Sequence, residues 1–375
     1  MRVLRAHRDP PAAPVATIPR TCDSNGISGG VDVQDPMGNA IRPAIPPRTG
    51  DGSSLDRQHV HILMATHNGH EHIREQIASI RQQSHENWDL YISDDHSTDS
   101  TAEIALSAAR CDRRVHLLMP PAVGGSAQAN FLSALRALPR GSVMLSDQDD
   151  VWFRDKVKLS LRALMDTAGA DNRPCLIHTD SQLVDKDLHP LHPSQKRFSA
   201  LLDPSPCLQR ALVENSVTGN TTLLSPSLAD MARKTEPTTP MIMHDWWIYL
   251  LAASLGDVVY IDTPTLAYRQ HANNAVGAKQ GAETLTPDRL AQAIRRAAQT
   301  VAQARSFLRV YSNLLPEASR DLVSIYSDIT SLPWRIRNPR LKREHVVKSR
   351  WKARAVHRIA IAMLTEKQVR GALPC

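Results

Sequence analysis

Three carboxylates fall within four residues at Asp147-Gln148-Asp149-Asp150, directly after the apolar run Ser142-Val143-Met144-Leu145-Ser146. Carboxylates at such spacing repel one another, so a chain that sets them where a buried strand leaves the core needs a positive partner there. Asp147 and Asp149 suit a hard divalent cation bound through oxygen, and Mg²⁺ or Mn²⁺ usually completes its shell with substrate phosphates. A cation held there would offset charge on a departing phosphate group. The same residues also read as the acidic start of a helix near Trp152, with Asp149 and Asp150 favouring its dipole.

Three further stretches carry candidate chemistry. In Asp94-Asp95-His96-Ser97-Thr98-Asp99 an acid after a strand can accept hydrogen bonds from a base or ribose, or the stretch is a capped turn with solvated Asp94 and Asp95. His244-Asp245-Trp246-Trp247 opens an apolar helix. There Asp245 is either a general base in a partly dry site, with Trp246 as a sugar platform, or a capping residue beside core aromatics. In Tyr268-Arg269-Gln270-His271, His271 is a candidate further metal ligand and Arg269 a phosphate partner, and both also suit a polar surface.

The elements that would position these residues alternate regularly from Val60 onward. VHILMA reads as a buried strand, and a turn then leads to a helix with Ile73, Ile77 and Ile80 on one face. DLYIS, VHLLM and SVMLS read as further strands, with helices capped by Ser97 or Thr98, opened by Gly124-Gly125, and starting at Val151. Such βα alternation predicts a parallel sheet with ligands beyond the carboxyl ends of its strands. The acidic loops after the second and fourth strands then share one rim. Past Met165, CLIHTDSQLVD, SVTGNTTLLS, DVVYID and TLAYRQH read as strands and loops, and residues after Leu285 as helices broken near Pro333 and Pro339.

Composition sets the outer limits. The chain has 375 residues, and its 42% apolar content can supply a sizeable core. Residues 1–57 hold eight of the 25 prolines without apolar periodicity and read as a disordered leader, with no continuous apolar stretch of the secretory kind. No eighteen residues run apolar without a charge, so no membrane-spanning helix is expected. Five scattered cysteines without CxxC spacing suit a reducing compartment. Between Ser331 and Arg358 ten Lys and Arg face one acid, Glu344, so the tail alone carries +9 of the chain's +7 and the remainder sums to about −2. Val347, Trp351, Ala355, Ile359 and Met363 recur every four residues between these cations. That stripe suits an interfacial helix on anionic lipid, or a solvated basic helix packed on the body. No recognition motif for nucleic acid accompanies it, and no nucleic-acid partner is expected.

Taken in order, ILMATHNG, ISDDHSTDST, VGGSAQANFLSAL, MLSDQDDVW and MHDWWIYLLA resemble the family 2 glycosyltransferases. DVVYIDTPTLAYRQHANNAVGA is similar to the branch of bacterial rhamnosyltransferases that build O-antigens and related polysaccharides. The resemblance spans roughly residues 60–278. It implies a GT-A fold, a Rossmann-like, mostly parallel sheet flanked by helices, over residues 58–280, followed by a helical basic extension at 281–375. It also implies transfer of a sugar from a nucleoside diphosphate sugar to an acceptor hydroxyl.

Residue by residue, the resemblance places Thr66 and Asn68 in the nucleotide-binding turn and Asp94 and Asp95 on the nucleoside. Gly125 and Asn130 match the segment closing over the nucleotide, Asp147 and Asp149 the metal pair, and Asp245 the catalytic base. Asp180 is a candidate for the acceptor or sugar pocket with Trp246 and Arg269, or a structural turn residue. The first turn has Ala65 and His67 where the family commonly has Pro and Tyr, and the QxxRW motif of processive synthases is missing.

The expectation is therefore a non-processive, inverting, metal-dependent enzyme using Mg²⁺ or Mn²⁺, with dTDP-rhamnose as first donor and a glycan or lipid-linked acceptor. It is expected to be cytoplasmic, with a candidate peripheral contact on the inner face of the cytoplasmic membrane. The alternatives are a sugar- or lipid-binding scaffold on the same fold, or a nucleotidyltransferase, although no phosphate-cradling GxxxxGKS is present.

Overall fold

A computed structural model describes residues 52–118, 125–168, 173–201, 206–271 and 286–373. The leader up to residue 51, Gly124, and residues 272–278 of the last motif lie outside the described residues. Strands β1 (Val60–Thr66), β2 (Trp88–Asp94), β3 (Val115–Leu117), β4 (Ser142–Ser146), β5 (Val151–Trp152), β6 (Cys175–Val184), β7 (Pro190–His192), β8 (Thr222–Leu224) and β9 (Asp257–Arg269) form one sheet. Its order is β3-β2-β1-β4-β8-β6-β9-β5, with β7 on β6.

The first four strands pair in parallel, as the βα alternation predicts. The other half is mixed: β8 runs antiparallel between β4 and β6, β6 and β9 are parallel, and β5 and β7 are antiparallel additions. Side chains alternate across the strands and build a core on each face. Ile62, Met64, Leu90, Ile92 and Met144 point to one, with helices Ile73–Arg81, Thr101–Cys111 and Lys156–Ala168. Leu63, Tyr91, Val143 and Leu145 point to the other, with helices Ala127–Ala137 and His244–Leu255.

Several elements differ from the sequence reading. Val151 and Trp152 form β5 on Ala267 and Leu266, and the helix expected there begins only at Lys156. Asp149 and Asp150 therefore do not sit at a helix start. Helix Thr101–Cys111 is preceded by Ser100, not by Ser97 or Thr98, because Ser97 is taken up by Asp94. DVVYID and TLAYR are one continuous strand, β9, drawn out by its parallel pairing with β6. Only Thr222–Leu224 of SVTGNTTLLS forms a strand. Gly52–Asp56, read with the leader, make a short helix whose Leu55 is buried.

The basic extension is helical at Pro287–Tyr311, Glu317–Ser327, Trp334–Arg343, Trp351–Met363 and Glu366–Arg370. Pro333 precedes one of these helices, whereas Pro339 lies inside it on an exposed face, where water can satisfy the carbonyl that proline leaves free. The extension shares the second core: Phe307 packs edge-on against Trp247 at 5.3 Å, and Tyr311 donates to or accepts from Thr235 at 2.6 Å. Among the described residues no helix is long and apolar enough to cross a membrane.

Candidate active site

Parallel pairing of β2, β1 and β4 brings their carboxyl ends to one rim. Thr66 ends β1 opposite Asp94, and its hydroxyl donates to the Asp94 carboxylate at 2.9 Å. Asp94 also accepts from the Ser97 amide at 3.0 Å and its hydroxyl at 2.6 Å. Both Asp94 oxygens are thus committed to shaping the turn. Asn68 adopts a left-handed φ of 48°, a conformation that asparagine tolerates, and its Oδ1 accepts from the Thr98 amide at 2.9 Å. The first turn and the β2 loop are therefore stitched together before any ligand arrives.

Asp95 is buried rather than solvated, and one of its oxygens accepts from the Gly125 amide at 2.8 Å. Gly125 has φ of 87°, which glycine takes without strain. Asn130 is buried below, exchanging bonds with Ser93: its Nδ2 donates to the Ser93 carbonyl at 3.0 Å and its Oδ1 accepts from the Ser93 hydroxyl at 2.5 Å. It braces the third segment against β2.

The loop after β4 holds the acidic triplet. The Asp149 carboxylate lies 2.9 Å from His271 Nε2, so the last motif reaches the Asp147–Asp149 pair. Arg269 is buried, and its guanidinium donates to the Asp149 carbonyl at 2.8 Å, to Glu75 at 2.5 Å and to the Lys186 carbonyl. It clamps the loop from beneath through the backbone. Asp150 is fully buried, accepting from Asn220 Nδ2 at 2.5 Å and the Arg269 amide at 3.3 Å. Burial, then the charges of Asp149 and Asp147, holds its carboxyl well above the usual range.

Asp245 enters from the second core, in the first turn of helix His244–Leu255. Helix Ala127–Ala137 supports that turn: Gln128 donates to the Ile242 carbonyl at 3.1 Å, and Phe131 stacks on His244 at 4.2 Å. Gln303 of the basic extension accepts from the Ile242 amide at 2.8 Å. Burial pushes the Asp245 carboxyl up to about 6, against the opposing pull of hydrogen bonds from Trp246, Asn215 and Gly219 and the charge of Arg296. Asp147 is pushed up by burial, then by Asp149 and Asp245. Burial pushes the Tyr268 hydroxyl up too, reinforced by the charges of Asp147, Asp150, Asp149 and Asp245.

Asp147, Asp149 and Asp245 therefore converge within electrostatic reach of one another. Each contribution to the Asp147 shift disfavours its charge, which is the environment a divalent cation reverses. The donor set, two carboxylates with an imidazole beside them, fits Mg²⁺ or Mn²⁺.

Two candidates lie elsewhere than the sequence suggests. Trp246 is 1% exposed, and its indole donates to the Ala211 carbonyl at 2.6 Å, so its rings serve the core and offer no face to a sugar. The helix is apolar all round, which hides that face from the sequence. Asp180 is fully buried and accepts from the Ser181 amide at 2.8 Å, the Lys196 amide at 3.1 Å and the Ser194 hydroxyl. It ties β6 to helix Gln195–Phe198 instead of lining an open pocket. Conversely, Gln148, Glu75, Asn215, Asn220, Tyr268 and Arg296 surround the carboxylates, and only proximity in the fold reveals them.

Comparisons with known proteins find similarity to sugar transferases. The family model "Glycosyl transferase family 2" matches residues 61–184. The dTDP-rhamnosyl transferase RfbG of Shigella flexneri is 28% identical over 225 residues, 57% of this chain and 74% of the relative. The teichuronic acid biosynthesis glycosyltransferase TuaG of Bacillus subtilis is 30% identical over 132 residues, 35% of this chain and 52% of the relative. The crystal structure of S. aureus TarS 1-349 superposes with a TM-score of 0.51 at 14% identity, covering 84% of this chain and 92% of that one, which establishes a shared fold.

Proposed function

We propose that this chain, a family 2 glycosyltransferase of the GT-A fold, transfers a single sugar from a nucleoside diphosphate sugar to a hydroxyl of a glycan or lipid-linked acceptor in cell-surface polysaccharide synthesis. The observation that carries this reading is the convergence of Asp245, with its carboxyl near 6, on the Asp147 and Asp149 pair. A carboxylate of that basicity is mostly charged at neutral pH yet still able to take a proton from an attacking hydroxyl.

Asp245 accepts the acceptor's proton as that oxygen attacks the anomeric carbon, and a single in-line attack inverts the configuration. Asn215 and Gly219 hold the carboxylate through hydrogen bonds. Asp95 and the Gly125 amide border the place for the nucleoside, and Thr66 and Asn68 keep the turn that cradles it. Asp149 and Asp147, with His271 beside them, would hold Mg²⁺ or Mn²⁺, which supplies Lewis-acid stabilisation of the leaving diphosphate. Arg269 keeps the Asp149 backbone in place and acts as a positioning residue.

For the donor, dTDP-rhamnose is the first choice, resting on the alignment with 74% of the Shigella transferase. The basic extension adds a contact with the inner face of the cytoplasmic membrane. Trp351, Ala355, Ile359 and Met363 are all exposed on one side of helix Trp351–Met363, while His357, Ala360 and Ile361 face the core. Such a stripe among Lys and Arg suits anionic lipid, and a lipid-linked acceptor would make that location useful.

Titration calorimetry with dTDP, UDP and GDP, each with Mn²⁺ and then with EDTA, tests the reading. Metal-dependent binding of one nucleotide supports it and selects the donor class. No binding of any, together with no transfer to a lipid-linked acceptor, would leave a scaffold. The anomeric proton coupling of the product reports inversion.

A further inference from the structure

We propose a second metal site at the opposite end of the sheet, formed by His59, His61 and Asp89 and selective for a first-row divalent ion, Zn²⁺ above all. His61 is the second residue of β1 and sits in register with Asp89 of β2. His59, two residues before it, falls on the same face. One ligand atom from each residue lies within 4.8 Å of the other two. A tetrahedral zinc shell sets its nitrogen and oxygen ligands about 3.3 Å apart, so modest side-chain adjustment closes it. Five residue steps along β1, about 16 Å of strand, separate His61 from Thr66 at the rim that carries the acidic loops.

The hydrogen bonds around these rings leave one nitrogen lone pair on each of them free to ligate. Asn87 donates through Nδ2 to the Arg57 carbonyl at 3.1 Å, which fixes its amide with Oδ1 facing His59 Nδ1 at 2.9 Å. His59 Nδ1 must then carry the proton, and in the neutral ring Nε2 presents a lone pair 3.1 Å from an Asp89 oxygen. Two electron-rich atoms at that distance need a positive charge between them. His61 Nε2 faces the Arg140 carbonyl at 3.3 Å, so it is the donor, and Nδ1 is left buried without a hydrogen-bond partner. His61 is 5% exposed, so that unpartnered nitrogen is shut away from bulk water. His116 Nε2 lies 2.9 Å from the other Asp89 oxygen and orients the carboxylate.

Each candidate ligand thus has its outer partner already in place, the arrangement that tunes and orients metal-bound histidines. Two imidazoles and one carboxylate favour zinc over magnesium, and partial exposure of His59 and Asp89 leaves room for water as a fourth ligand. The ion would fasten β1 to β2 at the end away from the chemistry.

The test uses the tag-free full chain, stripped with a chelator and titrated with ZnCl₂ at about pH 7.5. Wild type, His59→Gln, Asp89→Asn and Asp149→Ala are compared by metal analysis, competition with a chromophoric chelator, and thermal melts. Wild type and Asp149→Ala should each bind one tight equivalent and melt higher with zinc, while His59→Gln and Asp89→Asn bind roughly tenfold more weakly or worse. Co²⁺ should give four-coordinate visible absorption that His59→Gln abolishes. Absence of a tight equivalent in wild type would overturn the proposal and leave a protonated His59 paired with Asp89. So would zinc binding that Asp149→Ala removes and His59→Gln keeps. His59 is partly exposed, so its variant remains informative even if Asp89→Asn does not fold.

Discussion

Gln148 grips His67 through both ends of its amide: Nε2 donates to the His67 carbonyl at 3.0 Å, and Oε1 accepts from the His67 amide at 2.9 Å. The middle residue of Asp-Gln-Asp thereby fastens the loop after β4 to the turn after β1. Gly69 leaves room for this, since a Cβ there would lie 2.2 Å from Gln148 Oε1. Gln148→Ala should cost about 1–2 kcal/mol of stability and weaken metal-dependent nucleotide binding about tenfold, one order of magnitude per 1.4 kcal/mol. Gly69→Ala should mimic it by expelling the amide, and the two together should cost little more than either alone. Nucleotide titrations that show full additivity would dissociate the two residues.

The base role proposed for Asp245 predicts the acid side of the pH profile. A general base must be ionised, so turnover should fall as pH drops through about 6. Asp245→Asn should lower kcat by about a thousandfold or more while nucleotide titrations stay near wild type. Stability runs the other way: a carboxyl whose folded pKa is raised favours the fold below its unfolded pKa, and that advantage is lost as pH rises through about 6. Above that pH, melts of Asp245→Asn should match or exceed wild type. Near-normal turnover in this variant would remove Asp245 from the chemistry.

Arg296 reaches the same carboxylate from the basic extension, with its guanidinium 4.6 Å from the Trp246 ring centre. Its charge is one of the influences that pull the Asp245 carboxyl down. Arg296→Ala should therefore move the acidic limb of the kcat profile to higher pH. A purely structural role would scale the whole profile and leave the limb in place.

The exposed stripe of helix Trp351–Met363 predicts binding to anionic bilayers. Trp351 is 72% exposed, Ile359 40% and Met363 52%, so replacing them removes little from the core. Trp351→Ser with Ile359→Ser should release the protein from phosphatidylglycerol vesicles in sedimentation, as should high salt, which screens the cations. Equal sedimentation of variant and wild type would assign the stripe to another surface. Removing the end of the extension is a poorer test, because Arg305 of helix Pro287–Tyr311 pairs with both Glu366 oxygens at 2.8 Å and ties the last helix to it.

Much of the rim was legible because each motif joins a strand to its own following loop. Thr66, Asp95 and Asp147 lie within one residue of a strand end, and the period of apolar residues locates that end. Their supports were not legible. Arg269 and Glu75 are 194 residues apart, and Asn220 and Asp150 are 70 apart, distances over which no local pattern survives. The two-residue strand β5 escaped for a similar reason: only its pairing with β9 defines it, and Val-Trp-Phe next to a helix reads as helix. Trp246 was ambiguous in the sequence, because a tryptophan beside a catalytic carboxylate can stack on a sugar or fill a core.

The shared core yields the last prediction. Phe307 is fully buried against Trp247, two residues beyond Asp245, and Gln303 one turn earlier holds the Ile242 amide at 2.8 Å. Helix His244–Leu255 is thus built partly on the extension. Phe307→Ala should destabilise the fold by about 3–5 kcal/mol through the lost burial and the cavity left behind. Denaturant titration followed by tryptophan fluorescence and by helicity should show one transition at a lower midpoint by both probes. Two separated transitions would mean that residues 286–373 fold as a unit of their own. A single shifted transition, with kcat reduced at temperatures where the variant is still folded, would show that packing from the extension sets the position of Asp245.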